Sequence, residues 1–277
     1  MIDAEVTWPN GARCAVLLTF DFDAETLWVG RDPSNANRPG TLSQGLYGAK
    51  VGVPSILQVL RDAGDIPATF FVPGWTVEHH VSRVEAILKD GHEVGHHSYS
   101  HRWVDPSDPA AELEEMERGL EALLRVAGVR PAGYRSPAGE TSDNLFRLLA
   151  ERGFLYDSSM LDAINPYFHP VGGKPDALVE LPWSWSLDDA VYALFSPKAP
   201  RAIMTNDHIF TIWRDEFDAI RAAGGLFNLV MHPQVTGRPS RLVLLRRMIG
   251  YMQQFSDVWF ATCQAAARAF AAQAGAR

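Results

Sequence analysis

Only two cysteines, Cys14 and Cys263, occur in 277 residues, and neither belongs to a metal-type cysteine pair. A disulfide framework and a thiolate zinc site are therefore excluded, and both thiols read as reduced, packed side chains. No cluster of Lys or Arg interrupts the chain, whose 33 acidic and 25 basic residues give a formal net charge of -8. That balance excludes nucleic acid and an anionic membrane surface as partners. No apolar run reaches the ~18 residues of a membrane span. Residues 1–9 carry acids rather than a basic patch followed by an apolar stretch, so no secretory signal is visible and the expected compartment is the cytoplasm. Linkers and composition shifts are missing too, which predicts one catalytic domain over residues 1–277.

What the chain has is rhythm. Short apolar runs at 14–20, 68–72, 93–95, 133–135, 154–156, 178–181, 225–231 and 258–260 alternate with helical patterns. Helices are predicted over 53–63, 77–89, 142–152, 207–223 and 240–255. The clearest stripe is Leu113, Met116, Leu120, Leu123 and Ala127. Glycines such as Gly128 and Gly224 stand where helices should stop. Strand–helix alternation at this spacing predicts an α/β fold, a TIM-barrel-like (β/α)7 barrel rather than an open sheet. Two stretches break the pattern, 26–48 and 162–177, and both read as long loops over one face.

The polar residues able to do chemistry cluster at the carboxyl ends of successive runs: Asp21 and Asp23, then His96 to His101, Arg135, Asp157 and His232. In a parallel barrel those ends share one rim. His97 and His101 are four residues apart, close enough to aim two imidazoles at one point. Two imidazoles and a carboxylate leave open positions on a divalent cation, so Asp23, His97 and His101 are candidate ligands, for zinc first and for cobalt, manganese or iron next. Asp21 is the candidate general base beside the water that such a cation acidifies, with Arg135 keeping it ionised. His232, leaving a buried run, suits protonation of a leaving group. Asp157 or Asp188 could hold its second nitrogen, and the sequence does not choose between them. The overlapping His92-Glu93-Val94-Gly95-His96 matches HExxH, but in a strand the two histidines lie about 13 Å apart, too far for one metal. Both are expected to be structural. Tryptophans following strand ends, Trp28 and Trp183 among them, are candidate substrate contacts.

With these residues in place, the chain resembles the polysaccharide deacetylases, metal-dependent amide hydrolases of the chitooligosaccharide-deacetylase homology fold. The similarity covers roughly residues 12–262. Thr19-Phe20-Asp21-Phe22-Asp23 resembles the family's first motif and His97-Ser98-Tyr99-Ser100-His101 its second. Arg135-Ser136-Pro137, Asp157-Ser158-Ser159 and Leu229-Val230-Met231-His232 are similar to the remaining three. The resemblance implies base, metal and acid roles for Asp21, for Asp23 with His97 and His101, and for His232, and a distorted seven-stranded barrel. A backbone N–H near Ala138 is the expected oxyanion donor. Phe22 separates acids that are often adjacent in the family, Ala138 stands where an aromatic is common, and His96 precedes His97. With His232-Pro233 and Gly237-Arg238-Pro239-Ser240-Arg241, these features resemble the intracellular branch, which implies a homo-oligomer, often a tetramer. The expected reaction is hydrolysis of a C–N amide bond in a carbohydrate of the N-acetylglucosamine or peptidoglycan type. Opening of a cyclic imide or allantoin-type ring is the enzymatic alternative, and a degenerate carbohydrate-binding relative the non-enzymatic one.

Overall fold

Every residue of Cys14–Asp21 (β1) is buried, as a strand covered on both faces requires. A computed structural model describes residues 6–197 and 200–274. Along the chain β1 is followed by Thr69–Val72 (β2), Glu93–His96 (β3), Gly133–Tyr134 (β4) and Tyr156–Asp157 (β5). Then come Tyr167–Val171 (β6), Lys174–Glu180 (β7), Gly225–Met231 (β8) and Val258–Ala261 (β9). The sheet order is β6-β7-β5-β4-β3-β2-β1-β8, with β9 also paired to β1. All pairings are parallel except β6 with β7.

β1 to β5, β7 and β8 make the ring of a (β/α)7 barrel. Its seam lies between β7 and β8, where a single parallel bridge joins Asp188 to Val230. The Asn228 amide spans the same gap, donating to the carbonyls of Leu181 and Pro182 at 3.2 Å each. On the other side of β1, residues 14–17 pair with β9 and residues 19–21 with β2, so the ring is distorted there too. Helices cover the outside through apolar faces such as Ile56, Val59 and Leu60 against Leu244, Met248 and Ile249. Gly128 and Gly224 end their helices at φ 65° and 79°, a backbone region open to glycine at little cost.

The structure corrects both predicted loops. Residues 26–48 hold the helices Thr26–Arg31 and Pro39–Tyr47 and the 3-10 turn Pro33–Asn37. Prolines at first-turn positions suit these starts, and the Asn35 amide, donating to the Trp28 carbonyl at 2.9 Å, ties the insertion together. Residues 162–177 contain the β6–β7 hairpin, turned by Gly172 and Gly173 at φ 58° and 80°. Pro170 is tolerated because β6 is the sheet edge, where no ladder donor is missed. The predicted helix 77–89 is broken at His80 into Gly74–His79 and Val81–Lys89. In the helix Pro109–Ala127, Met116, Leu120 and Leu123 are buried but Leu113 is exposed.

Candidate active site

Strand ends place the polar residues on one rim, and Arg135 ties them together. Just past β4, its guanidinium donates to Asp21 Oδ1 at 2.9 Å, to Thr19 Oγ1 at 2.9 Å and to the Ser158 carbonyl at 3.1 Å. The Phe71 ring lies beneath it at 4.2 Å. Burial alone would raise the Asp21 carboxyl, but Arg135 and the neighbouring His97 and His232 hold it below the ordinary range. Asp21 is thus kept as a carboxylate, the form a base needs.

Asp23, His97 and His101 converge beside it. Nε2 of His97 and of His101 lie 3.5 and 3.6 Å from Asp23 Oδ1. The three side chains are buried, and each offers a ligand atom within 4.8 Å of the others. His97 Nδ1–H donates to the Arg135 carbonyl at 2.7 Å, which leaves the Nε2 lone pair facing Asp23. That Nε2 and Asp23 Oδ1 are buried without a hydrogen-bond partner among the described residues. Burial pushes the Asp23 carboxyl up to about 8, against the pull of His232 and with the push of Asp21. A carboxylate that the protein alone holds so poorly, facing the His97 Nε2 lone pair and the His101 imidazole, fits a divalent cation.

Across the rim stands His232, at the end of β8. Its Nδ1 lies 2.7 Å from Asp189 Oδ1, while Asp188 Oδ1 is 3.8 Å away. Asp188 instead caps the helix Asp189–Ala193 by accepting from the Ala190 N–H at 2.7 Å. Burial opposes charge on the imidazole, but Asp188, Asp189 and Asp23 outweigh it and raise His232 well above its ordinary value. Thr236 Oγ1 and the His232 N–H donate to the second Asp189 oxygen, which fixes that carboxylate.

Asp157, the other carboxylate considered for His232, is turned elsewhere. It accepts from the Ser159 N–H at 3.1 Å and hydroxyl at 2.8 Å. With Glu180 and His169 it forms a separate buried cluster. The two histidines of the HExxH match also stay out of the site. His96 bonds the Met116 carbonyl and the Ser98 N–H, and His92 lies against Phe70.

A cavity of about 810 Å³ opens over the centre, lined by Asp21, His97, His101, Arg135, Asp188 and His232. Ala138 and Trp183 form part of its wall. Trp28 does not: it is buried, and Leu27, Gly30 and Arg31 from the same segment reach the cavity instead. Trp103 and Trp185 are further lining residues. Ala24, Ser98, His101 and Ala138 all have positive φ, between 51° and 60°. Left-handed backbone without glycine concentrates at this rim, as it does at functional sites generally.

Sequence reasoning missed Asp189 and Gln234. Asp189 was visible only as the neighbour of Asp188, and which of two adjacent acids reaches an imidazole depends on where the helix begins. Gln234 Nε2 lies 3.4 Å from Asp23 Oδ2, brought there by the turn after Pro233 that no periodicity signals.

A model of the polysaccharide deacetylase family matches residues 41–156. A peptidoglycan deacetylase of Helicobacter pylori is 30% identical over 270 residues, covering 87% of this chain and 91% of that one. A Mycobacterium smegmatis crystal structure, described provisionally as a polysaccharide deacetylase, is 42% identical with a TM-score of 0.94 over 99% of this chain and 96% of that one. The structure of the PuuE allantoinase is 27% identical with a TM-score of 0.85 over 97% and 94%.

Proposed function

This chain belongs to the polysaccharide deacetylase family, and from that premise we propose that it is a metal-dependent hydrolase releasing acetate from an N-acetylated carbohydrate. Asp23, His97 and His101 are the residues that would hold the cation. When bound there, a divalent ion supplies Lewis acidity to water and to a carbonyl. The chain's own residues divide the remaining work. Asp21, kept ionised by Arg135, takes the proton of the attacking water as oxygen adds to the amide carbon. A backbone N–H near Ala138 meets the charge that develops on the carbonyl oxygen. His232, held protonated and oriented by Asp189, delivers its proton to the departing nitrogen as the C–N bond breaks. Acetate and a free amine are the products.

The observation that carries this reading is the pair of orphaned, buried ligand atoms, Asp23 Oδ1 and His97 Nε2, between an ionised base and a protonated acid. Acetate release from N-acetylglucosamine oligomers tests it. Activity lost to a chelator and restored by zinc, cobalt or manganese is the expected result. Chelator-resistant release contradicts it. The likeness to the allantoinase structure supports a second reading, opening of a small cyclic imide or ureide by the same base and acid. Ring opening without acetate release from any sugar would select that reading.

A further inference from the structure

Three arginines, Arg31, Arg102 and Arg201, line the cavity above the Asp23 centre. All three are exposed at its mouth. Arg102 lies 3.8 Å from Asp108. Among the described residues, no hydrogen bond or ion pair engages Arg31 or Arg201. Arg31 faces the Trp103 ring, 6.0 Å from its centroid. Several arginines on this surface are paired: Arg147 meets Glu151 at 2.7 Å, Arg221 meets Asp257 at 2.7 Å and Arg246 meets Asp62 at 3.3 Å, whereas exposed Arg38 and Arg268, like Arg31 and Arg201, show no such partner among the described residues. What sets Arg31 and Arg201 apart is their place: both line the cavity that holds the candidate centre, in a chain with 33 acidic and 25 basic residues.

The acids that line the cavity do not neutralise them. Asp21 is taken by Arg135, and Asp188 caps a helix beside His232. Glu140 alone faces the mouth without such an engagement. Partial burial and repulsion from Arg201 both act against the charge on Arg31, which the more distant Asp23 and Asp188 support. Two like charges close together on the wall of a cavity repel one another, a repulsion that an anion bound between them would relieve. A guanidinium fork matches a carboxylate or phosphate in shape as well as charge. Trp103, Trp183 and Trp185 add flat apolar surface on the same walls, suited to a sugar face.

We propose that the substrate hydrolysed at this centre carries an anionic group, a carboxylate or a phosphate, which Arg31 and Arg201 bind at the cavity mouth while the amide lies at Asp21. The inference rests on the hydrolase reading for its reaction, but the anion preference stands on the arginines alone.

The test uses the zinc-loaded, full-length protein and three probes that share one N-acetylated ring. N-Acetylglucosamine is neutral, N-acetylmuramic acid adds a carboxylate, and N-acetylglucosamine 6-phosphate adds a phosphate. Both turnover and calorimetric binding are measured. At least one anionic probe should exceed the neutral one about tenfold in kcat/KM or in affinity, as a charge-assisted bond at a partly exposed site allows. The two anionic arms decide between carboxylate and phosphate. Arg31→Gln and Arg201→Gln should each collapse that preference toward one. Neither arginine makes a hydrogen bond or ion pair to the fold among the described residues, so both variants should melt within a few degrees of the parent. Tighter anion binding with no turnover of any probe would retain this inference and defeat the deacetylase reading. Equal handling of all three probes overturns the inference. So does a preference that survives both substitutions, because the anion would then be binding the metal.

Discussion

Asp21 and Asp23 are two residues apart and chemically identical, yet their neighbours drive them in opposite directions. Arg135 holds Asp21 below the ordinary carboxylate range, whereas burial pushes Asp23 up to about 8. The first environment suits the proposed base and the second the proposed metal ligand. Asp21→Asn should therefore keep bound metal and lose kcat by about 10²–10⁴-fold, the range for removing a positioned acid or base. Parallel metal analysis and steady-state rates check this, and a near-normal rate would remove Asp21 from its role. Asp157 has a different consequence. Burial and Glu180 raise its carboxyl well above the ordinary value, and Glu180 itself is pushed by burial up to about 7. The folded pair keeps a proton that the unfolded chain releases above about pH 4. Because the native state then binds more protons, stability falls as pH rises from about 4 toward and through 7. Asp157→Asn removes the share of that loss carried by Asp157, so its melting temperature should gain on the parent between pH 5 and pH 8. A gap that stays constant across this range would contradict the shared proton.

At the scale of elements, the histidine loop is pressed from two sides. A Cβ on Gly30 would overlap the His101 carbonyl, and one on Gly119 would overlap the Ser98 carbonyl. The helices Thr26–Arg31 and Pro109–Ala127 can approach the histidine loop so closely only because those positions lack side chains. Gly30→Ala should cost about 1–3 kcal/mol by overpacking and weaken metal retention, since His101 must shift. Thermal melts with and without zinc check this, and an unchanged melt in both would show that the loop has slack. The strands were legible in the sequence because apolar runs in a two-sided parallel sheet need no alternation. The helical insertion at 26–48 was not. Its short helices carry little periodicity of their own and are held by packing on Ala24 and His101, contacts made across the sequence. β6 was hidden by Pro170, which argues against a strand until its edge position is known, and the start of β7 by Pro175, which precedes the residues of β7 that pair with β5.

For the whole molecule, the parallel ring turns sequence order into proximity. Asp21, His97, Arg135 and His232 come from four strand ends spread over more than two hundred residues, and one rim gathers them. This is why the convergence of these residues on one rim was legible in the sequence: a barrel makes strand ends equivalent. What could not be read depends on local angles. The seam between β7 and β8, closed by Asp188 and Asn228, sets where the helix Asp189–Ala193 starts, and so hands His232 to Asp189 rather than to Asp188 or Asp157. The unpaired arginines were likewise invisible, since a sequence counts charges but does not pair them.

The most direct test is metal stoichiometry measured by mass spectrometry on extensively dialysed protein, for the parent and for Asp23→Asn and His101→Ala. The account requires close to one divalent ion per chain in the parent and a substoichiometric amount in each variant, with all three still folded. A parent without metal after zinc loading, or variants that retain it in full, would contradict the assignment of Asp23, His97 and His101 as its ligands.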